Sequence, residues 1–334
     1  MKIRVIGSGS WATALAQVLA DNHQDVKIYG ISQTEVDDIN NNHQNSTFYP
    51  GVDINPALTA TTDINVVKDA DVVLLGVPVM ALESVCLQIK DLIDHPVYVI
   101  NVAKGFHPDT HERLSVVIKR LLGEHLIDVI SLIGPSHAEE VILRLLTCVN
   151  SVCENEESAK VIQELFSNDY FRVYTNTDVI GAEIAAALKN VMAIASGMIT
   201  GLEQGDNARA ALMTRGLYEI TRFGLAQGGK QETFLGLNGV GDLIVTCSSL
   251  HSRNFQAGLA IGKSGDAKAF LASNKKTTEG VNTTRVVHLM AKEMGVEMPI
   301  TEQVYRILFE GLAPQDAISE LMNRSLKREY NLFK

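Results

Sequence analysis

The chain lacks the marks of several large protein classes. Its 334 residues include four cysteines, Cys86, Cys148, Cys153 and Cys247, with no CxxC and no Cys/His spacing suited to a metal. That pattern speaks against a zinc module or a disulfide scaffold and reads as free thiols in a reducing, cytoplasmic setting. No Lys/Arg cluster appears and the formal net charge is −10. A nucleic-acid partner or an anionic membrane surface is therefore not expected. Any anionic ligand must find its positive charge locally, against the overall field. The N-terminus shows no basic-then-apolar signal, because a strand pattern starts at once. Lys189 and Glu203 interrupt the most apolar helical pattern, which then reads as too short to span a bilayer. No internal repeat, low-complexity tract or long Gly/Ser linker is present.

What the chain does have begins at its start. The apolar run Ile3–Ile6 leads into Gly7-Ser-Gly9-Ser-Trp11-Ala12 and then into strong helix formers through Ala16. Strand, Gly-x-Gly turn and helix in that order make a βαβ dinucleotide site. Gly7 permits the turn, Gly9 lets the backbone approach a pyrophosphate, and Ala12 permits close helix–strand packing. The helix start offers N–H groups and a positive dipole end to phosphates. The expected ligand is NAD or NADP.

Length predicts two domains. Up to about residue 178, β-rich runs alternate with helical patterns, which predicts a Rossmann-like α/β domain with a mostly parallel sheet. Strands are expected at 3–6, 26–29, 72–75, 97–101, 129–133 and 147–152, and helices at 10–22, 81–89 and 110–122. From 179 to 334 Ala/Met/Leu-rich helical patterns dominate, at about 178–200, 206–227, 253–262, 281–294, 299–310 and 314–323. That half reads as an all-α substrate-binding and catalytic domain, with the boundary at about 178. The second strand closes on Gly30-Ile31-Ser32, which offers neither the acid that favours NAD nor the base that favours NADP. Glu35 comes a few residues late and reads as a solvated helix residue in preference to a ribose contact.

Lys189 is the second prominent feature. It sits in a helical pattern, 184–194, that is apolar on nearly every side apart from itself and Asn190. Burial lowers a lysine pKa and makes a neutral amine available as a base; a lysine snorkelling at a domain interface is the plain alternative. Lys104 follows a strand, at the sheet edge where open α/β folds bind ligands. Gly134 and Ser136 follow another strand, and Ser136 reads equally as a helix N-cap or a ligand. His137 reads as an ordinary histidine, Asp242 as a helix cap, and Glu279 as a solvated acid beside a glycine turn. Arg253, between Ser252 and Asn254, has a fork suited to phosphate, or is an ordinary loop charge.

Taken in order, these segments closely resemble the NAD(P)-dependent glycerol-3-phosphate dehydrogenases of the bacterial type. The matching text runs from Gly7–Ala16 through 103–105, 134–136 with Ala138, 187–191, 207–212, 214–217, 239–243, 252–254 and 278–280 to 298–301. The resemblance covers essentially the whole chain. It implies hydride exchange between NAD(P) and the C2 position of sn-glycerol 3-phosphate, giving dihydroxyacetone phosphate, and a supply of glycerol 3-phosphate for phospholipid synthesis. Lys189 is then the general base. Lys104, Gly134, Ser136, Asp242, Ser252, Arg253 and Asn254 hold the substrate. Ser10, Trp11, Lys104, Ala138, Arg253 and Glu279, with Gly7 and Gly9, meet the cofactor. A homodimer is implied by resemblance alone. Three departures stand out: Ala12 in place of a third glycine, Ile31 where relatives often carry Arg or His, and no Gly/Pro before Thr147. The competing readings are a related two-domain 3-hydroxy acid dehydrogenase and an NAD(P)-binding sensor without turnover.

Overall fold

The computed structural model describes residues 1–274, 278–326 and 328–329. Residues 275–277, 327 and 330–334, which the sequence assigns to the C-terminal half, lie outside the described residues. The chain divides into two compact units, Met1–Val179 and Ile180–Lys334.

The first unit is built on an eight-stranded sheet: β1 (Lys2–Ile6), β2 (Asp25–Tyr29), β3 (Thr59–Thr61), β4 (Val72–Leu75), β5 (Val97–Asn101), β6 (Leu126–Ile133), β7 (Thr147–Val152) and β8 (Phe171–Asn176). Its order is β3-β2-β1-β4-β5-β6-β7-β8. Every pairing is parallel except β6 with β7. The helices are α1 (Ser10–Asp21), α2 (Gln33–Asn42), α3 (Val79–Lys90), α4 (Leu114–Leu122), α5 (Ala138–Val141) and α6 (Glu156–Phe166). The two-residue period of a strand sorts its side chains between two cores. Val72 and Leu74 join the α1 and α6 side, whereas Val73 and Leu75 join the α3 and α4 side. Burial on both faces explains why these strands read as continuous apolar runs. Order reverses at β1, whose neighbours are β2 and β4, and the crevice at such a point is where open α/β sheets bind ligands.

The second unit contains only helices among its described residues: α7 (Val179–Gly201), α8 (Gly205–Ala226), α9 (Gln231–Leu235), α10 (Asp242–Ser248), α11 (Arg253–Ser264), α12 (Ala267–Ser273), α13 (Glu279–Met294), α14 (Pro299–Tyr305) and α15 (Pro314–Met322). Two wider π-type turns, Leu237–Gly241 and Arg306–Glu310, lead into α10 and out of α14.

Several sequence expectations need correction. The pattern at 110–122 becomes helical only at Leu114, because the His107 ring accepts the N–H groups of Asp109 and Thr110 and holds a turn there. The pattern at 299–310 is an α-helix only to Tyr305. Strands β3 and β8 were not expected. Helix α7 is not too short for a bilayer: its 23 residues are long and apolar enough, and Glu203 lies beyond its end. Its apolarity is that of a core helix, since 94% of its most apolar window is buried within the protein.

Candidate functional site

In the first unit the site is the β1–α1 loop. Gly7 has φ +114°, a conformation open to glycine, and a Cβ there would stand 2.6 Å from the Gly76 carbonyl oxygen. A Cβ on Gly76, at the end of β4, would lie 2.5 Å from the methyl of Ala12. Gly76 therefore provides the close helix–strand approach that a third loop glycine usually provides, and Ala12 is accommodated. At Gly9 a Cβ would meet no protein atom within 4 Å. Gly9 is the N-cap of α1, which has no side-chain cap and no acid in its first turn. The first-turn N–H groups thus remain available to an anion. Buried Trp11 Nε1 has no hydrogen-bond partner, an uncommon state for a buried donor. Open approach at Gly9, an uncapped helix start and an orphaned indole N–H together fit the phosphates of a dinucleotide.

Two residues that sequence reading did not single out fix this loop. Fully buried Asn45 donates to the Ser8 carbonyl (2.8 Å) and to Thr13 Oγ1 (2.9 Å). The Tyr49 hydroxyl donates to the Ser10 carbonyl at 2.6 Å. Both lie in a polar stretch after α2 whose sequence carries no signal of that contact. Glu35 is not a simple solvated residue: its Oε2 accepts a 2.5 Å hydrogen bond from Ser8 Oγ.

The other first-unit candidates occupy the ends of β5 and β6. Lys104, half-buried, follows β5. Gly134 follows β6, and a Cβ on it would lie 2.8 Å from Val149 Cα, so close packing on β7 also demands glycine there. Ser136 is not a helix cap: its hydroxyl donates to the Gly134 carbonyl at 3.0 Å, and His137 takes the N-cap position of α5. Ala138 is the buried first residue of α5.

In the second unit Lys189, on α7, is 5% exposed and does not snorkel. Its Nζ donates to the carboxylate of Asp242, 1% exposed on α10, and to Thr246 Oγ1 at 2.9 Å. Asp242 therefore compensates a buried cation; the N-cap position of α10 belongs to Gly241. Thr246 lies four residues after Asp242, on the same helix face. Its hydroxyl donates to the Asp242 carbonyl at 2.6 Å, which leaves its oxygen turned to Lys189. Cys247, next along α10, is fully buried, and that burial pushes its thiol up to about 12. The thiol stays protonated beside the ammonium.

Backbone-to-backbone packing sets the position of α7. A Cβ on Gly258 of α11 would stand 1.9 Å from the Ile194 carbonyl oxygen, and one on Gly262 would stand 2.4 Å from that of Met198. From the α7 side, Gly197 and Gly201 meet the Phe255 and Leu259 carbonyls equally closely. The start of α11 is the 252–254 block. Ser252 is its N-cap and accepts the Phe255 N–H. Arg253 opens the helix at an exposed position, and among the described residues no carboxylate pairs with it. Asn254, buried, accepts the Gly280 N–H at 2.9 Å through Oδ1. The 278–280 block is thus a helix start rather than a glycine turn, with Glu279 the half-buried first residue of α13. The 298–301 block has a structural role: buried Glu219 of α8 accepts the Ile300 and Thr301 N–H groups and the Thr301 hydroxyl, capping α14.

Residues 2–159 match the N-terminal part, and residues 178–319 the C-terminal part, described for NAD-dependent glycerol-3-phosphate dehydrogenase. A glycerol-3-phosphate dehydrogenase [NAD(P)+] of Bacillus cereus is 48% identical over 330 residues, covering 98% of this chain and 97% of that one. The crystal structure of glycerol-3-phosphate dehydrogenase from Coxiella burnetii superposes with a TM-score of 0.90 at 38% identity, covering 97% of this chain and 99% of that one. The enzyme of the same name from Plasmodium falciparum gives 0.88 at 27% identity, covering 98% and 97%.

Proposed function

The chain belongs to the NAD-dependent glycerol-3-phosphate dehydrogenase family, and we propose that within its NAD(P)-dependent oxidoreductase chemistry Lys189 exchanges the proton at the reacting oxygen. The reaction interconverts sn-glycerol 3-phosphate and dihydroxyacetone phosphate and supplies glycerol 3-phosphate for phospholipid synthesis. The cofactor, when bound, supplies or takes the hydride. As the neutral amine Lys189 Nζ takes the C2 hydroxyl proton during oxidation, becoming the ammonium that Asp242 compensates, and as the ammonium it returns the proton to the C2 oxygen during reduction. The observation that carries this reading is the buried Lys189, held by Asp242 and Thr246 from a single face of α10. Contacts from one face of α10 fix the direction of the Lys189 side chain, and orientation of that kind is a large part of catalysis.

Arg253, unpaired with any described carboxylate at the positive end of α11, suits a phosphate dianion. Lys104, Gly134, Ser136, Asp242, Ser252 and Asn254 complete the proposed substrate contacts. Gly7, Gly9, Ser10, Trp11, Lys104, Ala138, Arg253 and Glu279 are the proposed cofactor contacts. The four free thiols suit a cytoplasmic enzyme, and a homodimer is part of the same proposal. Following the absorbance of NADH and NADPH in parallel after adding dihydroxyacetone phosphate tests the activity. Substrate-dependent oxidation is the expected result; none, in folded protein that binds the cofactor, overturns the substrate assignment.

A further inference from the structure

Residues 28–67 carry the end of β2, all of α2 and all of β3, yet contain no lysine or arginine. They hold five acids: Glu35, Asp37, Asp38, Asp53 and Asp63. Ile31, just past β2, is 88% exposed and offers no charge. A 2′-phosphate presented at this edge of the sheet meets no cation from the segment. In dinucleotide folds the acid that binds the adenosine ribose diol closes the second strand, beside the glycine loop. This chain has no acid at that place but brings one there from the first turn of α2. Ser8, the middle residue of the Gly7–Gly9 loop, donates to Glu35 Oε2. Gly30 makes room for that contact, since a Cβ on it would lie 2.6 Å from Ser8 Oγ. No other hydrogen bond to the Glu35 side chain forms among the described residues, so Oε1 keeps its acceptor capacity.

We propose that Glu35, positioned by Ser8 against the glycine loop, selects NAD(H) over NADP(H), accepting a ribose hydroxyl from the first and repelling the 2′-phosphate of the second. The inference rests on the reading of this loop as the NAD(P) site. It makes Ser8 a positioning residue and gives the displaced acid the task usually carried by the strand end.

Fluorescence titration of the purified chain with NADH and with NADPH tests the idea without any turnover. The wild-type protein is expected to bind NADH at least about tenfold more tightly. Glu35→Gln keeps the shape at a half-exposed position and removes the charge. It should weaken NADH and strengthen NADPH, shrinking the ratio roughly tenfold. Adding Ile31→Arg to Glu35→Gln should carry the preference to NADPH, with a larger gain than Ile31→Arg gives alone. General damage to the loop lowers both affinities together, so opposite movement is the signature of selection. Equal wild-type affinities, or parallel changes in Glu35→Gln, overturn the inference. If binding follows this pattern while dihydroxyacetone phosphate is not reduced, the substrate assignment fails and the role of Glu35 stands.

Discussion

The Asp242 carboxylate and the Lys189 ammonium form a buried ion pair between α10 and α7, with Thr246 as the second acceptor on the lysine. Lys189→Ala is expected to lower turnover by roughly 10²–10⁴ while NADH binding stays near wild type. Asp242→Asn leaves a buried cation without its counter-charge, at a cost of about 3 kcal/mol in stability. The same change favours the neutral amine, so the pH–rate profile of that variant should move toward lower pH. Stopped-flow or steady-state assays across pH, paired with denaturant melts, measure both effects. An unmoved profile would remove Lys189 from the proton transfer.

Gly258→Ala should cost about 3 kcal/mol, because the new methyl meets the Ile194 carbonyl rather than a flexible side chain. Ile194 lies five residues from Lys189 on the same helix, so kcat should fall together with the melting temperature. Differential scanning calorimetry and an activity assay on one preparation check the pairing.

Glu219→Ala leaves the Ile300 and Thr301 N–H groups without their buried acceptor. A loss of roughly 2–4 kcal/mol is expected. Glu219→Gln, which keeps one acceptor oxygen, should lose less. Urea unfolding of the two variants beside the wild type measures the difference.

Acid should weaken the first unit through Asp69. Hydrogen bonds from Arg4 hold its carboxyl down at about 2, against an ordinary 3.8. A carboxyl lowered in the folded state contributes stability above its unfolded value and loses it as pH falls through the folded one. The loss therefore falls between about pH 4 and pH 2. In Asp69→Asn the stability curve should be flatter across that window, as read by urea midpoints at a series of pH values.

Much of this was legible in the sequence where a local pattern and a tertiary demand agree. The glycine loop is one case: Gly7 is required by its φ and by its distance to Gly76 alike. Lys189 is another in part: the apolar helix around it points to burial or to snorkelling at an interface, and the structure buries it. What stayed hidden depends on partners far along the chain. β8 alternates buried and exposed residues at the sheet edge, so half of it reads as polar. β3 is only three residues long. Glu35 looks solvated until Ser8, 27 residues earlier, is seen to hold it. Asp242 looks like a cap until Lys189, 53 residues earlier, is placed against it. Ser252 and the 298–301 block show the reverse: residues within the resemblance whose visible work is to start a helix or receive a cap.

The crossing of α7 with α11 has a longer consequence. Main chain rests on main chain there, so no rotamer change nearby can absorb a shift of the helix or transmit one to it. Exchanges among the surrounding leucines, methionines and valines can then accumulate over generations, altering how firmly the unit holds together while Lys189 keeps its aim. Composition around the crossing and the aim of Lys189 are decoupled at these four glycines, where any added side chain would run into main chain.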